Sequence, residues 1–138
     1  MYILDTNVVS ELRKKQSSGT DTNVLRWAAS VVPTQLYLSA VTIFEIEIGI
    51  QRLQLRGDQI DRLRLWLTDH VLDAFAQRIL PIDQHVAMLF ARMMVPTTRP
   101  YRDTLIAATA QHHGYTVVTR NTKDFDGLPV RLLNPWES

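Results

Sequence analysis

Residues 103–119, DTLIAATAQHHGYTVVT, join a helical pattern to a strand pattern through a single glycine. Small apolar residues (Ala107, Ala108, Ala110) fill the helical part, so that helix can pack close to a sheet. Gly114 stands where a left-handed residue closes a helix. The β-branched run that follows, 115–119, reads as a strand. Working outward, YIL at 2–4, LYLSAV at 36–41, RILPI at 78–82 and VRLL at 130–133 supply four more strands. Val86, Leu89, Phe90, Met93 and Met94 form one apolar stripe at helical spacing, with Asp83 as its cap and Pro96 as its stop. A further helix is predicted from about Asp58 to Ala76 through Ile60, Leu63, Leu67 and Val71, after a turn at Gly57. Residues 15–23, KQSSGTDTN, read as a polar loop. Strands alternating with helices, without tight hairpin dipeptides, predict an α/β fold on a mainly parallel sheet.

The chain has 138 residues, 46% of them apolar and 21% charged, enough for one domain with a full core. It carries no apolar run of membrane-spanning length and no signal-peptide pattern at its start, so the cytoplasm is the expected compartment. With no cysteine, any metal site must use oxygen or imidazole. A net charge of +1 argues against a surface that grips nucleic acid everywhere, yet allows a local groove. Basic residues gather at Arg13, Lys14 and Lys15 and at Arg99 and Arg102; such runs are also ordinary solvated faces.

Parallel sheets bind ligands at the carboxyl ends of their strands, and the acids of this chain fall there. Asp5 ends the first strand, where it can cap the helix TNVVSEL. Glu45, in SAVTIFEIEIGI, lies just past the second strand beside the face defined by Ile43, Ile46 and Ile50. Glu47, about 200° round the helix from it, is placed toward solvent. Asp103 starts the helix before Gly114, as its N-cap or in its first turn. Asn121 and Asp124, in TRNTKDF, follow the fourth strand, where such residues are turn formers first. Each position alone has a structural explanation. Gathered in one pocket they repel one another, and a cation relieves that. Oxygen ligands select Mg²⁺ or Mn²⁺, which suits phosphodiester hydrolysis. The histidines (His70, His85, His112, His113) show no HExxH spacing, and no nucleophile elbow or phosphate loop occurs. A phosphatase with Asp5 as nucleophile would want Asp-x-Asp, and position 7 is Asn.

YILDTNVVSEL, LSAVTIFEIEIGI and RDTLIAATAQHHGYTVVTRNTKDF, in this order, resemble a PIN-domain toxin of the VapC family. FAQRILPID and LLNPW are most similar to its FitB-like branch. The resemblance spans nearly the whole chain, 1–138, read as a single PIN domain. It implies a three-layer α/β/α sandwich with about five strands and an endoribonuclease dependent on Mg²⁺ or Mn²⁺. The family's acidic set falls on Asp5, Glu45 and Asp103. Its fourth position falls on Asn121, where many members carry Asp, which leaves the part played by Asp124 open. Also implied are a homodimer, a larger assembly with a cognate antitoxin that inhibits the toxin, operator DNA contacted through that antitoxin, and tRNA or rRNA as substrate.

On this reading Asp5 and Asp103 are the principal metal ligands, and Glu45 is a further ligand or the base. Thr6, Thr119, Asn121 and Asp124 orient them. Arg13, Lys14, Lys15, Arg99 and Arg102 are candidate RNA contacts. A rival reading makes the chain an inactive module that serves as the antitoxin-binding subunit of a DNA-bound repressor.

Overall fold

Successive residues of a strand face opposite sides of its sheet, and the two central strands exploit this. Ile3 and Val117 enter one apolar cluster with Val86, Ile106 and Ala107, while Leu4 and Val118 enter another with Val8, Trp27 and Ile50. A sheet buried on both faces calls for the continuous apolar runs seen here.

The computed structural model describes residues 1–14 and 19–137. In chain order these form β1 (Tyr2–Leu4), α1 (Thr6–Arg13), α2 (Thr22–Ser30), β2 (Leu36–Ser39), α3 (Ala40–Leu55), α4 (Asp61–Leu65), a π-wound segment (Trp66–Leu72), β3 (Ile79–Leu80), α5 (Gln84–Met93), α6 (Tyr101–His113), β4 (Thr116–Val118) and β5 (Leu132–Leu133). The five strands pair in parallel in the order β3-β2-β1-β4-β5. The α/β/α arrangement with a parallel five-stranded sheet is therefore as the sequence predicts. The order reverses at β1, so the crevice between the carboxyl ends of β1 and β4 is where a ligand site belongs.

Four boundaries differ from expectation. β2 ends at Ser39, whose hydroxyl accepts a hydrogen bond from Val41 N at 3.1 Å and starts α3 two residues inside the predicted strand. The predicted 58–76 helix is shorter and changes pitch after Leu65. There Thr68 Oγ1 donates to Arg64 O at 2.9 Å, and a hydroxyl competing for that carbonyl loosens the ordinary ladder. α6 begins at Tyr101, which leaves Asp103 in its first turn. The predicted 15–23 loop falls partly outside the described residues, at 15–18, and its last two residues are already helical. Asp21 Oδ1 accepts from Asn23 N (2.9 Å) and Val24 N (3.2 Å) and so opens α2, a helix the sequence pattern did not reveal.

α6 lies against the sheet on Ile106, Ala107, Ala108 and Ala110, all fully buried. Alanine permits this close approach, and the approach in turn fixes where Asp103 sits. Ala108→Leu should overfill the interface and lower stability by about 1–3 kcal/mol, read as a lower urea midpoint.

Candidate active site

Asp5 follows β1 directly, and its backbone N–H continues the sheet by donating to Val118 O at 2.9 Å. The side chain is buried and doubly held. Oδ1 accepts from Thr6 N at 2.7 Å, as a helix cap does. Oδ2 accepts from Thr119 Oγ1 at 2.7 Å and from Asn7 Nδ2 at 3.3 Å. The cap fixes one oxygen while the end of the fourth strand fixes the other. Thr119 Oγ1 also accepts from Asn121 N at 3.0 Å, which ties the turn after β4 to the same carboxylate.

Glu45 reaches the pocket from α3. Its Oε1 accepts from Thr6 Oγ1 at 2.9 Å, and its Oε2 lies 3.6 Å from Arg102 Nη1. Thr6 therefore links two acids, its amide to Asp5 and its hydroxyl to Glu45. The buried Thr42 hydroxyl stands 3.5 Å from that of Thr6. Glu47 does not lie free in solvent; it pairs with Arg64 on the far side of the helix.

The carboxyls sense one another. Burial pushes Asp5 up from its ordinary value, the hydrogen bonds from Thr119 and Thr6 oppose this, and the charge of Asp124 adds to it. Glu45 is raised chiefly by burial and further by Asp5, against the pull of Thr6 and Arg102. Asp103 is pushed up to about 6, first by burial and then by Asp5, Asp124 and Glu45, with Arg102 opposing. Three acids with raised proton affinity, facing one cationic side chain, form a donor set that fits a hard divalent cation. Among the described residues no three carboxylates or imidazoles form a ready-made cage. Mg²⁺ does not require one, since it keeps several waters and takes few carboxylates.

Asn121 and Asp124 separate in role. Asn121 precedes the short turn Thr122–Phe125 and accepts from Asp124 N through its backbone carbonyl at 3.0 Å, without a side-chain cap, whereas the charge of Asp124 reaches both Asp5 and Asp103. The basic candidates separate as well. Arg102 joins the pocket, and Arg13 lines a groove with Thr6 and Glu45 while standing over the Trp66 ring. Lys14 pairs with Glu11 at 3.2 Å. Arg99 is directed elsewhere: it donates to Asp126 O and borders a cavity of about 440 Å³ with Arg92 and Met93. Lys15 lies outside the described residues. Asn7 and Thr42 were missed as supporting residues; the signal for Asn7 was its place directly after the Asp-Thr pair.

Residues 2–129 match the PIN domain family. The chain is 37% identical to Toxin FitB of Neisseria gonorrhoeae, over 99% of both chains. It belongs to the PIN-domain toxins of the VapC family, in their FitB-like branch. VapC ribonuclease Y4jK of Sinorhizobium fredii is 36% identical to it, over 99% of each chain. The structure of FitAB bound to an IR36 DNA fragment superposes with a TM-score of 0.84 at 35% identity, covering 99% of this chain and 96% of that one. In this PIN domain the strand-order reversal, the buried Asp5 and the threonine that binds it are all parts of one crevice.

Proposed function

We propose that this PIN toxin is an endoribonuclease that hydrolyses RNA phosphodiester bonds with Mg²⁺ or Mn²⁺ held principally by Asp5 and Asp103 and with Glu45 as the base. The observation that carries the reading is the convergence of these acids, each raised by burial, on the carboxyl ends of β1 and β4. When bound, the cation neutralises phosphate charge and makes an attacking water more acidic. The chain's own residues do the rest. Thr6, Thr119 and Asn7 hold Asp5 in one orientation, and Thr6 holds Glu45. Glu45, with its raised proton affinity, takes the proton from the water that attacks phosphorus. The bond from phosphorus to the ribose 3′ oxygen breaks, and that oxygen gains a proton from solvent. Asp124 supplies the fourth negative charge that Asn121 lacks.

The products distinguish this route from attack by the ribose 2′-hydroxyl. Incubation of total RNA with the purified protein and Mg²⁺ or Mn²⁺ should yield 5′-phosphate and 3′-hydroxyl ends. A 2′,3′-cyclic phosphate, detected by end-group analysis, would refute it.

The likeness to FitAB supports a cognate antitoxin as partner and operator DNA contacted through that antitoxin; a homodimer within the complex is part of the same proposal. A groove of about 220 Å³ runs from Thr6 and Glu45 past Arg13 and Gly49 to Leu53 and Trp66. An antitoxin segment lying there would cover Glu45 and so inhibit the enzyme. The proposed substrate is tRNA or rRNA in the cytoplasm. Among the described residues no helix is long and apolar enough to cross a membrane.

A further inference from the structure

Two large rings stand exposed on the rim of the carboxylate crevice, Phe44 at 44% and Tyr101 at 46%. Phe44 directly precedes Glu45 on α3, and Tyr101 opens α6 two residues before Asp103. The Arg102 guanidinium carbon lies over both, 5.7 Å from the Phe44 centroid and 5.6 Å from that of Tyr101. Arg102 Nε also donates to the Tyr101 hydroxyl at 3.3 Å, and its Nη1 stands 3.6 Å from Glu45. Neither ring belongs to the two apolar clusters of the core, so the fold does not account for them.

An acidic crevice repels a phosphodiester, and substrate must be anchored close to the acids by something else. Aromatic faces with a cation between them suit a nucleotide, because a base stacks on a ring while a guanidinium takes the phosphate. A protein face covering both rings would instead take Arg102 and Glu45 out of water together, at a cost. We propose that Phe44 and Tyr101 are stacking faces for an unpaired nucleobase beside the scissile phosphate, and that Arg102 leaves Glu45 for that nucleotide's phosphate. This subsite rests on the ribonuclease reading and adds to it how single-stranded RNA is seated.

The test uses short single-stranded RNA oligonucleotides carrying 2-aminopurine at successive positions, bound to the Asp5→Asn protein so that they stay intact. Binding should quench fluorescence at one position. Adding Phe44→Leu or Tyr101→Leu, which keep apolar bulk, should remove the quench and weaken binding about tenfold each. In the protein with its acids intact, the same changes should raise KM about tenfold and leave kcat nearly unchanged. If the parent cleaves RNA but both variants bind and quench as it does, the subsite is wrong and the ribonuclease reading stands. If the parent leaves RNA uncut with either metal, the ribonuclease reading itself fails. If the variants alter sedimentation mass or antitoxin binding instead of RNA affinity, the rings form a protein contact and the proposal is overturned.

Discussion

Asp5→Asn is expected to reduce RNA cleavage by about a thousandfold or more while leaving the fold intact. The magnitude follows from losing a charged ligand whose electrostatic contribution is several kcal/mol, each 1.36 kcal/mol being tenfold in rate. The fold survives because asparagine has the same shape. Its amide oxygen can still accept from Thr6 N, and the Thr119 hydroxyl can rotate to accept from the new NH₂ group. Asn7 Nδ2 gives up its 3.3 Å contact and keeps the Thr119 hydroxyl oxygen at 3.4 Å, while the Thr119 proton loses Oδ2 as its acceptor. A matched comparison of cleavage rate, melting temperature and antitoxin binding checks this. Activity retained at the parent level would remove Asp5 from the mechanism. Loss of growth arrest with antitoxin binding preserved would also exclude the reading of the chain as an inactive repressor subunit.

The second large effect concerns stability. Asp103 has a proton affinity raised from 3.8 to about 6 by burial and by its acidic neighbours. A carboxyl raised in the folded state holds its proton more tightly there than in the unfolded chain. Between pH 3.8 and about 6 the folded state thus binds more protons, and stability falls as pH rises through that window. Above it the repulsion is fully present, and there a divalent cation has most to relieve. Thermal melts should therefore show Mg²⁺ or Mn²⁺ raising the melting temperature strongly at pH 8 and little at pH 5, by mass action on the folded state. Asp103→Asn should raise the melting temperature without added cation and abolish most of the cation's effect. A variant less stable than the parent at pH 8 would show that Asp103 serves the fold and not the site.

The strands were legible because each is a short apolar run, and their parallel pairing followed from the helices between them. The acids were legible as positions: Asp5 follows a strand, Asp103 lies in the first turn of a helix, and Glu45 stands beside an apolar helical face, although α3 begins early enough to place it more than a turn inside. α2 was not, since its buried face rests on Val24 and Trp27 alone and its start depends on the Asp21 cap. The change of pitch after Leu65 was hidden too, because it turns on one hydroxyl bonding to one carbonyl. That the charge of Asp124 reaches Asp5 and Asp103 was hidden as well, because it depends on where the turn after β4 folds back. The bond from Arg99 to Asp126 O was likewise hidden, because it joins residues 27 positions apart.

The hydroxyl that holds Asp5 comes from Thr119, 114 residues later in the chain. A growing polypeptide that has reached α6 already contains Asp5, Glu45 and Asp103, yet lacks β4, the strand that lies beside β1 at the centre of the sheet. Until that strand leaves the ribosome, β1 has no neighbour on one side and Asp5 has only half of its support. The crevice is thus among the last features that the growing chain can complete.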